Sequence, residues 1–261
     1  MKLNTKTSLI GILLTIVWLL LPNILYSFNI DLQKLLGQNG NLYISHLFQY
    51  YILAVAVGIT YFKGGNLKTL GLKKPKSFNI KYGLKLLFFM FLLNGFYNVF
   101  LFKYGIKTQA EHLMPEFAQM TNKVLLVFNA VVAAPICEEI FFRGFLLKGF
   151  QNSCVCTFCC RSADESKKLY NNTNFLNPPS ASKTALNTEV LGKNSKCQKS
   201  FIKAAIVVSL FFALMHQIPS SMPPIFMLSI VFSLMYKKTG SIYTGILLHA
   251  LVNGVGMWRC F

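Results

Sequence analysis

Charged residues are scarce in this sequence, and acidic residues are the scarcer sign. Only 13% of the 261 residues are charged, and eight Asp and Glu stand against 26 Lys and Arg. A soluble domain of this length needs more polar surface than that to cover its core. With 54% hydrophobic residues and a mean hydropathy of +0.48, the composition excludes an ordinary soluble domain and indicates a membrane protein.

The sequence also lacks a basic stripe interleaved with aromatic residues, the pattern of a nucleic-acid surface. The formal net charge of +18 comes instead from lysines and arginines that lie between apolar blocks. A membrane protein keeps its basic residues in such loops. We therefore expect the lipid bilayer, and no nucleic acid, as a partner.

Seven apolar runs are long enough, or nearly so, to cross a bilayer. The sequence thus predicts an all-α fold, a polytopic membrane protein of about seven transmembrane helices around an intramembrane polar cavity. A cleaved signal peptide is the alternative for the first run, although Leu25-Tyr26-Ser27 is a poor small-residue cleavage site. The runs are Ser8–Ser27, Ile44–Phe62, Gly83–Phe102, Lys123–Leu147, Ile202–Gln217, Pro224–Tyr236 and Ser241–Trp258.

The distribution of lysine and arginine predicts the orientation, because cytoplasmic loops carry the excess of basic residues. With the N-terminus inside, 20 of them fall in inner segments and five in outer segments, and Arg143 lies within a span. We expect an integral, multi-pass protein with a cytoplasmic N-terminus and an external C-terminus. The host decides between the plasma membrane and the endoplasmic reticulum.

Residues 151–200 interrupt the apolar pattern. They are rich in Ser and Asn and carry a Pro178-Pro179 pair, which predicts an unstructured loop on the inner side. The loop's cysteines lack the partner ligands of a zinc finger, so S-acylation and plain reduced thiols remain the alternatives. These cysteines are Cys154, Cys156, Cys159, Cys160 and Cys197.

Three intramembrane charges lie close together in the fourth span, which contains Glu138, Glu139 and Arg143. Each charge at helix-centre depth costs about 2.5–3.5 kcal/mol, so these must be paired or hydrated. Glu139 and Arg143 are i, i+4 in the favourable order for an ion pair. Glu138 lies about 100° around the helix, which leaves it free for chemistry. Pro135, one turn earlier, is expected to begin or kink the helix.

The fifth and seventh spans add two histidines and an asparagine. His216 ends the fifth span, and His249 and Asn253 are i, i+4 in the seventh. Polar side chains in hydrocarbon need partners, so these faces should turn inward. Interhelical hydrogen bonding alone would explain them, as a structural clamp would explain the Glu–Arg pair. Together with the glutamates they would also suit hydrolysis, with a carboxylate to activate water and donors for an oxyanion.

The three motifs resemble those of the CPBP intramembrane proteases, which include the type II CAAX prenyl endopeptidases, also called the Abi family. The matching residues are Glu138-Glu139-x-x-x-Arg143, Phe212-x-x-x-His216 and His249-x-x-x-Asn253, in the same order and within membrane spans. On this resemblance residues 123–258 are the catalytic core, interrupted at 151–200, and residues 1–122 are N-terminal transmembrane helices without a motif.

The resemblance implies a conical cavity open to the membrane and an endopeptidase that cuts prenylated or membrane-associated substrates near their C-terminus. By position, Glu138 would be the general base and His216 would bind and activate the water. His249 and Asn253 would form the oxyanion site, and Glu139 and Arg143 would support the arrangement. The insertion departs from the family's short connection between the first two motifs.

Other functions fit the same residues. Relatives of this kind act in bacteriocin self-immunity or protein anchoring without a CAAX substrate. A cation transporter could use Glu138, His216 and His249 as ligands, although no inverted repeat is visible. The same three side chains could hold a zinc ion. Because HExxH is absent and Asn253 suits an oxyanion better than zinc, we favour a mechanism with no cofactor.

Overall fold

The computed structural model describes residues 3–75, 80–153 and 198–258, and within these ranges every regular element is helical. Three short 3₁₀ turns occur at Gly37–Asn39, Leu67–Leu70 and Pro219–Ser221. The helices are α1 (Thr5–Ser27), α2 (Leu32–Leu36), α3 (Gly40–Phe62), α4 (Ile80–Lys103), α5 (Gln109–Gln119), α6 (beginning at Lys123), α7 (198–214), α8 (Met222–Thr239) and α9 (Tyr243–Trp258).

Helix α6 is continuous to Ser153 but changes its hydrogen-bonding pattern along its length. It is α-helical at Lys123–Phe128, Ala134–Glu138 and Lys148–Ser153, and π-helical at Asn129–Ala133 and Glu139–Leu147. Pro135 falls just after the first π segment and has no N–H to donate to the carbonyl of Val131. π-helical turns commonly accommodate such a missing bond. Pro135 therefore changes the backbone hydrogen bonding within α6 and does not begin the helix.

The second π segment, Glu139–Leu147, is the centre of the bundle, because every one of its residues is buried. The segment is apolar on all sides apart from the Glu139 and Arg143 side chains, and such a helix belongs in a core. Helices α3 and α7 pack around it through side chains such as Ile52, Ala56, Val208 and Phe212.

The described residues contain five helical stretches long and apolar enough to cross a membrane, around α1, α3, α4, α6 and α8. Apolar side chains are exposed along these helices, as expected of surfaces that face lipid. Helices α7 and α9 are apolar as well but shorter. The all-α polytopic fold predicted from the sequence is confirmed.

Contacts between chain segments show which helix ends share one side of the bundle. Asn152 donates to the carbonyl of Leu3 at 3.1 Å, and the Ile242 N–H donates to the carbonyl of Gly71 at 3.2 Å. Lys148 donates to the carbonyl of Thr69 and so places these two pairs on the same side. At the other side, Asn39 donates to Thr121 at 2.7 Å. The long helices therefore alternate in direction through the bundle.

Between α4 and α6, the segment that contains His112 forms helix α5 behind a capping box between Thr108 and Glu111. The hydrogen bond from the Thr108 N–H lowers the pKa of the exposed Glu111 carboxyl. His216, which the sequence predicts at the end of the fifth span, instead lies beyond the end of α7. The helix cannot continue there, because Gln217 has a left-handed φ of 57° and Pro219 follows.

The predicted insertion is also shorter than 151–200. Residues 151–153 and 198–200 are helical, because they continue α6 and α7 and hold contacts such as Asn152 with Leu3 and Ser200 with Gln151. Residues 154–197, with the five cysteines and the predicted loop, lie outside the described residues.

Candidate functional site

Glu139 and Arg143 form the ion pair that their spacing predicts. The Arg143 Nη1 and Glu139 Oε1 atoms are 3.0 Å apart, and the two side chains are 0% and 1% exposed. Both residues belong to the π-helical segment of α6. The pair therefore cancels two charges within one helix, in a site that excludes solvent.

Arg143 is held from the other side by α8. Its Nη2 atom donates to the carbonyl of Ser229 at 3.1 Å and to the hydroxyl of the same residue at 2.8 Å. The rings of Phe212 and Phe232 lie 4.9 and 5.2 Å from the guanidinium carbon, within cation–π range. Arg143 thus joins α6, α7 and α8 at one point.

Glu138 has a different environment from its neighbour. It is 13% exposed, and its Oε2 atom lies 3.8 Å from His249 Nε2. Its other oxygen, Oε1, accepts a hydrogen bond of 3.1 Å from Gln49 Nε2 on α3. No contact with Arg143 at ion-pair distance is present among the described residues. The adjacent carboxylates therefore separate into one paired with Arg143 and one that accepts a hydrogen bond from Gln49 and faces His249.

His249 lies between the two carboxylates. While its Nε2 atom approaches Glu138, its Nδ1 atom is 3.4 Å from Glu139 Oε1. The close packing of α9 against the Glu139 side chain requires a glycine at position 245, since a Cβ there would lie 2.6 Å from Glu139 Oε2. Residues 245 and 249 share one helix face. On the side of α9 that faces α6, the His249 imidazole therefore lies next to the space left by the missing side chain of Gly245.

His216 approaches the same site from the turn after α7. Its Nδ1 atom lies 2.8 Å from the carbonyl of Phe212, which leaves Nε2 for other partners. The ring of Phe212 lies 5.0 Å from that of His216 and 6.0 Å from that of His249, and so separates the two imidazoles.

Asn253 points to a different part of α6. Its Nδ2 atom donates to the carbonyl of Ala130 at 2.8 Å, in the first π segment. The described contacts join Glu138, Glu139, Arg143 and His249 directly and reach His216 through the ring of Phe212, but they do not join Asn253 to the group. The second hydrogen of its amide group remains available to another acceptor.

A zinc ion needs a group of ligands that the described residues do not provide. A catalytic zinc site needs three protein ligands and an open position. Within residues 3–75, 80–153 and 198–258, no three His, Cys, Asp or Glu side chains are grouped to hold a metal ion. The placement of Glu138, His216 and His249 therefore does not fit a three-ligand site, and we derive no chemical step through a metal.

Two polar residues near the site have no place in the sequence motifs. Gln49 contacts Glu138, and Asn129 on α6 bridges Ser45 at 3.2 Å and His46 at 2.9 Å. Each is a carboxamide within an apolar span, where an unpartnered polar group is costly. A carboxamide is therefore uncommon in an apolar span, and this was the sequence signal that could have indicated a role for these residues. A single sequence does not reveal which helix supplies the partner.

A known family matches the part of the chain that contains the three motifs. Residues 120–255, more than half of the chain, match the family model described as type II CAAX prenyl endopeptidase Rce1-like. The chain belongs to the Rce1-like type II CAAX prenyl endopeptidase family. The match contains all three motifs and excludes α1, α3 and α4. No curated protein and no solved structure is significantly similar to the chain.

Membership in the Rce1-like family identifies the chain with a group of membrane-embedded proteases. This assignment agrees with the five long apolar helical stretches among the described residues, and it implies association with the bilayer. It confirms the resemblance drawn from the motifs at the level of the family.

Proposed function

We propose that this protein is an intramembrane endopeptidase that cleaves a peptide bond near the C-terminus of prenylated or otherwise membrane-associated substrates. Glu138 is the general base, and His216 binds and orients the water. His249 and Asn253 donate hydrogen bonds to the oxyanion, while the ion pair of Glu139 and Arg143 supports the arrangement of these residues.

The observation that carries this proposal is the different pairing of the adjacent glutamates. Glu139 is paired with Arg143 at 3.0 Å, whereas Glu138, among the described residues, contacts the Gln49 carboxamide and the His249 ring and not Arg143. A carboxylate that is not paired with an arginine keeps its capacity to accept a proton from water. The neighbouring imidazole is then close enough to donate to charge that develops on a substrate oxygen.

The proposed reaction conserves protons and electrons. Glu138 takes one proton from water as the water oxygen bonds to the carbonyl carbon of the substrate. The carbonyl oxygen becomes an oxyanion, which accepts hydrogen bonds from His249 and Asn253. The carbon–nitrogen bond then breaks, and Glu138 returns the proton to the departing amine.

Proteolysis of a lipidated peptide library by purified protein in vesicles tests this function. We expect cleavage by the wild type and a 10²–10⁴-fold lower rate for Glu138→Gln, the usual effect of losing a general base. Matched peptides without the lipid show whether prenylation is required. A wild type that cleaves no peptide but conducts cations would favour a transporter instead.

The same assay separates the water-activation mechanisms. A membrane-permeant chelator should leave the rate unchanged, and metal analysis should find far less than one zinc per active protein. Activity lost on chelation and restored by stoichiometric zinc would replace this mechanism with a metallopeptidase.

A further inference from the structure

Gln49 is a buried carboxamide in the middle of the apolar helix α3, and its side chain is turned to the centre of the bundle. The residue is 5% exposed. Ile52, Ala56 and Thr60 follow it on the same helix face, and all three are buried. A polar side chain on a packing face in hydrocarbon needs a specific partner to offset its desolvation.

That partner is Glu138. Because a carboxylate oxygen only accepts hydrogen bonds, the Gln49 atom that faces it must be the amide nitrogen. The Nε2–Oε1 distance is 3.1 Å, while the other carboxylate oxygen faces His249 at 3.8 Å. The hydrogen bond from α3 therefore holds one oxygen, while the other faces the imidazole on α9, and the hydrogen bond restricts rotation of the carboxylate.

The partner is also neutral, which matters for a base. A cation in this place would stabilise the carboxylate strongly and oppose its uptake of a proton. A carboxamide orients the oxygen at a smaller electrostatic cost. The Gln49 Oε1 atom is buried without a hydrogen-bond partner among the described residues, so it can accept from a water at the same carboxylate.

We propose that Gln49 is a positioning residue that fixes the Glu138 carboxylate for water activation, so that α3 is part of the active site. The helix lies outside the family match at residues 120–255, which assigns it no role. The inference rests on the proposed function, in which Glu138 is the base.

Three substitutions in the reconstituted protein test this role. Gln49→Met keeps the length and volume of the side chain but removes the donor, and Gln49→His restores an N–H at similar reach. Tyr51→Phe is the matched control, because it removes the α3 hydrogen bond to the carbonyl of Leu14, at 2.9 Å, away from the site. Glu138→Gln is measured in parallel.

We expect Gln49→Met to lower kcat about 10- to 100-fold with KM unchanged, since small errors in the placement of a catalytic group have effects of this size. Gln49→His should recover part of the loss. Tyr51→Phe should keep the wild-type rate. In the Glu138→Gln background, Gln49→Met should lower the residual rate no further.

Contrary results have distinct meanings. Full activity of Gln49→Met beside an inactive Glu138→Gln would overturn only the role of Gln49. Equal losses of folded protein and activity in Gln49→Met and Tyr51→Phe would also overturn it, because the effect would then be packing of α3. An active Glu138→Gln would overturn the proposed base itself.

Discussion

Glu138 and Glu139 are neighbours in the sequence, yet the same substitution should affect them differently. Glu139→Gln leaves Arg143 buried without its counter-charge, and breaking a buried pair costs about 3–5 kcal/mol. Glu138→Gln leaves no orphaned cation and should reduce the rate with little loss of stability. Unfolding in detergent measures both. Equal destabilisation of the two variants would indicate that both glutamates form a structural clamp.

Gly245 provides a second test at the scale of single residues. An added Cβ would lie 2.6 Å from Glu139 Oε2, so Gly245→Ala should displace that carboxylate from Arg143 and lower activity. Gly254 on the same helix has no atom within 4 Å of a built Cβ. Gly254→Ala should therefore gain up to about 1 kcal/mol from helix propensity and keep its activity. Cleavage rates and melting of the two variants give the comparison, and equal activity would contradict it.

Among the helices, α6 depends on one close backbone contact with the loop before α4. A Cβ at Gly144 would lie 2.3 Å from the carbonyl oxygen of Leu70, a backbone atom that cannot rotate away. Gly144→Ala should therefore displace the 3₁₀ turn at Leu67–Leu70 and destabilise the protein by about 1–3 kcal/mol.

Gly95 on α4 is the control for that substitution, because it has open space around its Cβ position. Gly95→Ala should leave the melting temperature in detergent unchanged or raise it. Similar melting temperatures for Gly144→Ala and the wild type would show that the turn moves without cost.

At the scale of the whole molecule, the contacts between helix ends predict a topology that reporters can test. The segments around Gly71 and Ile242 meet at one side, and Asn39 and Thr121 meet at the other. Reporters at Lys73 and Lys237 should thus agree with each other, and a reporter near His112 should read the opposite side. The excess of lysines predicts that the first side is cytoplasmic. A reporter at His112 that agrees with Lys73 would contradict the alternation of the helices.

The parts of this protein that the sequence predicts are those with local causes. Apolar runs predict the helices, and i, i+4 spacing predicts the pair of Glu139 and Arg143. The partners of Glu138 and Asn253 lie 89 and 123 residues away, at Gln49 and Ala130, so they depend on how the helices pack. The π segments of α6 and the end of α7 before His216 depend on backbone hydrogen bonds that residue patterns do not specify.

The order in which the charges meet their partners also matters while the chain is being made. Synthesis proceeds from the N-terminus, so α3 with Gln49 precedes α6, whereas His249 follows it. Arg143 and Glu139 come from the same helix and can neutralise each other as that helix enters the bilayer. The nascent α6 then carries one uncompensated charge instead of three, which lowers the insertion penalty by several kcal/mol. The local ion pair thus lowers the cost of inserting α6 before the chain segments that carry His216 and His249 have been made.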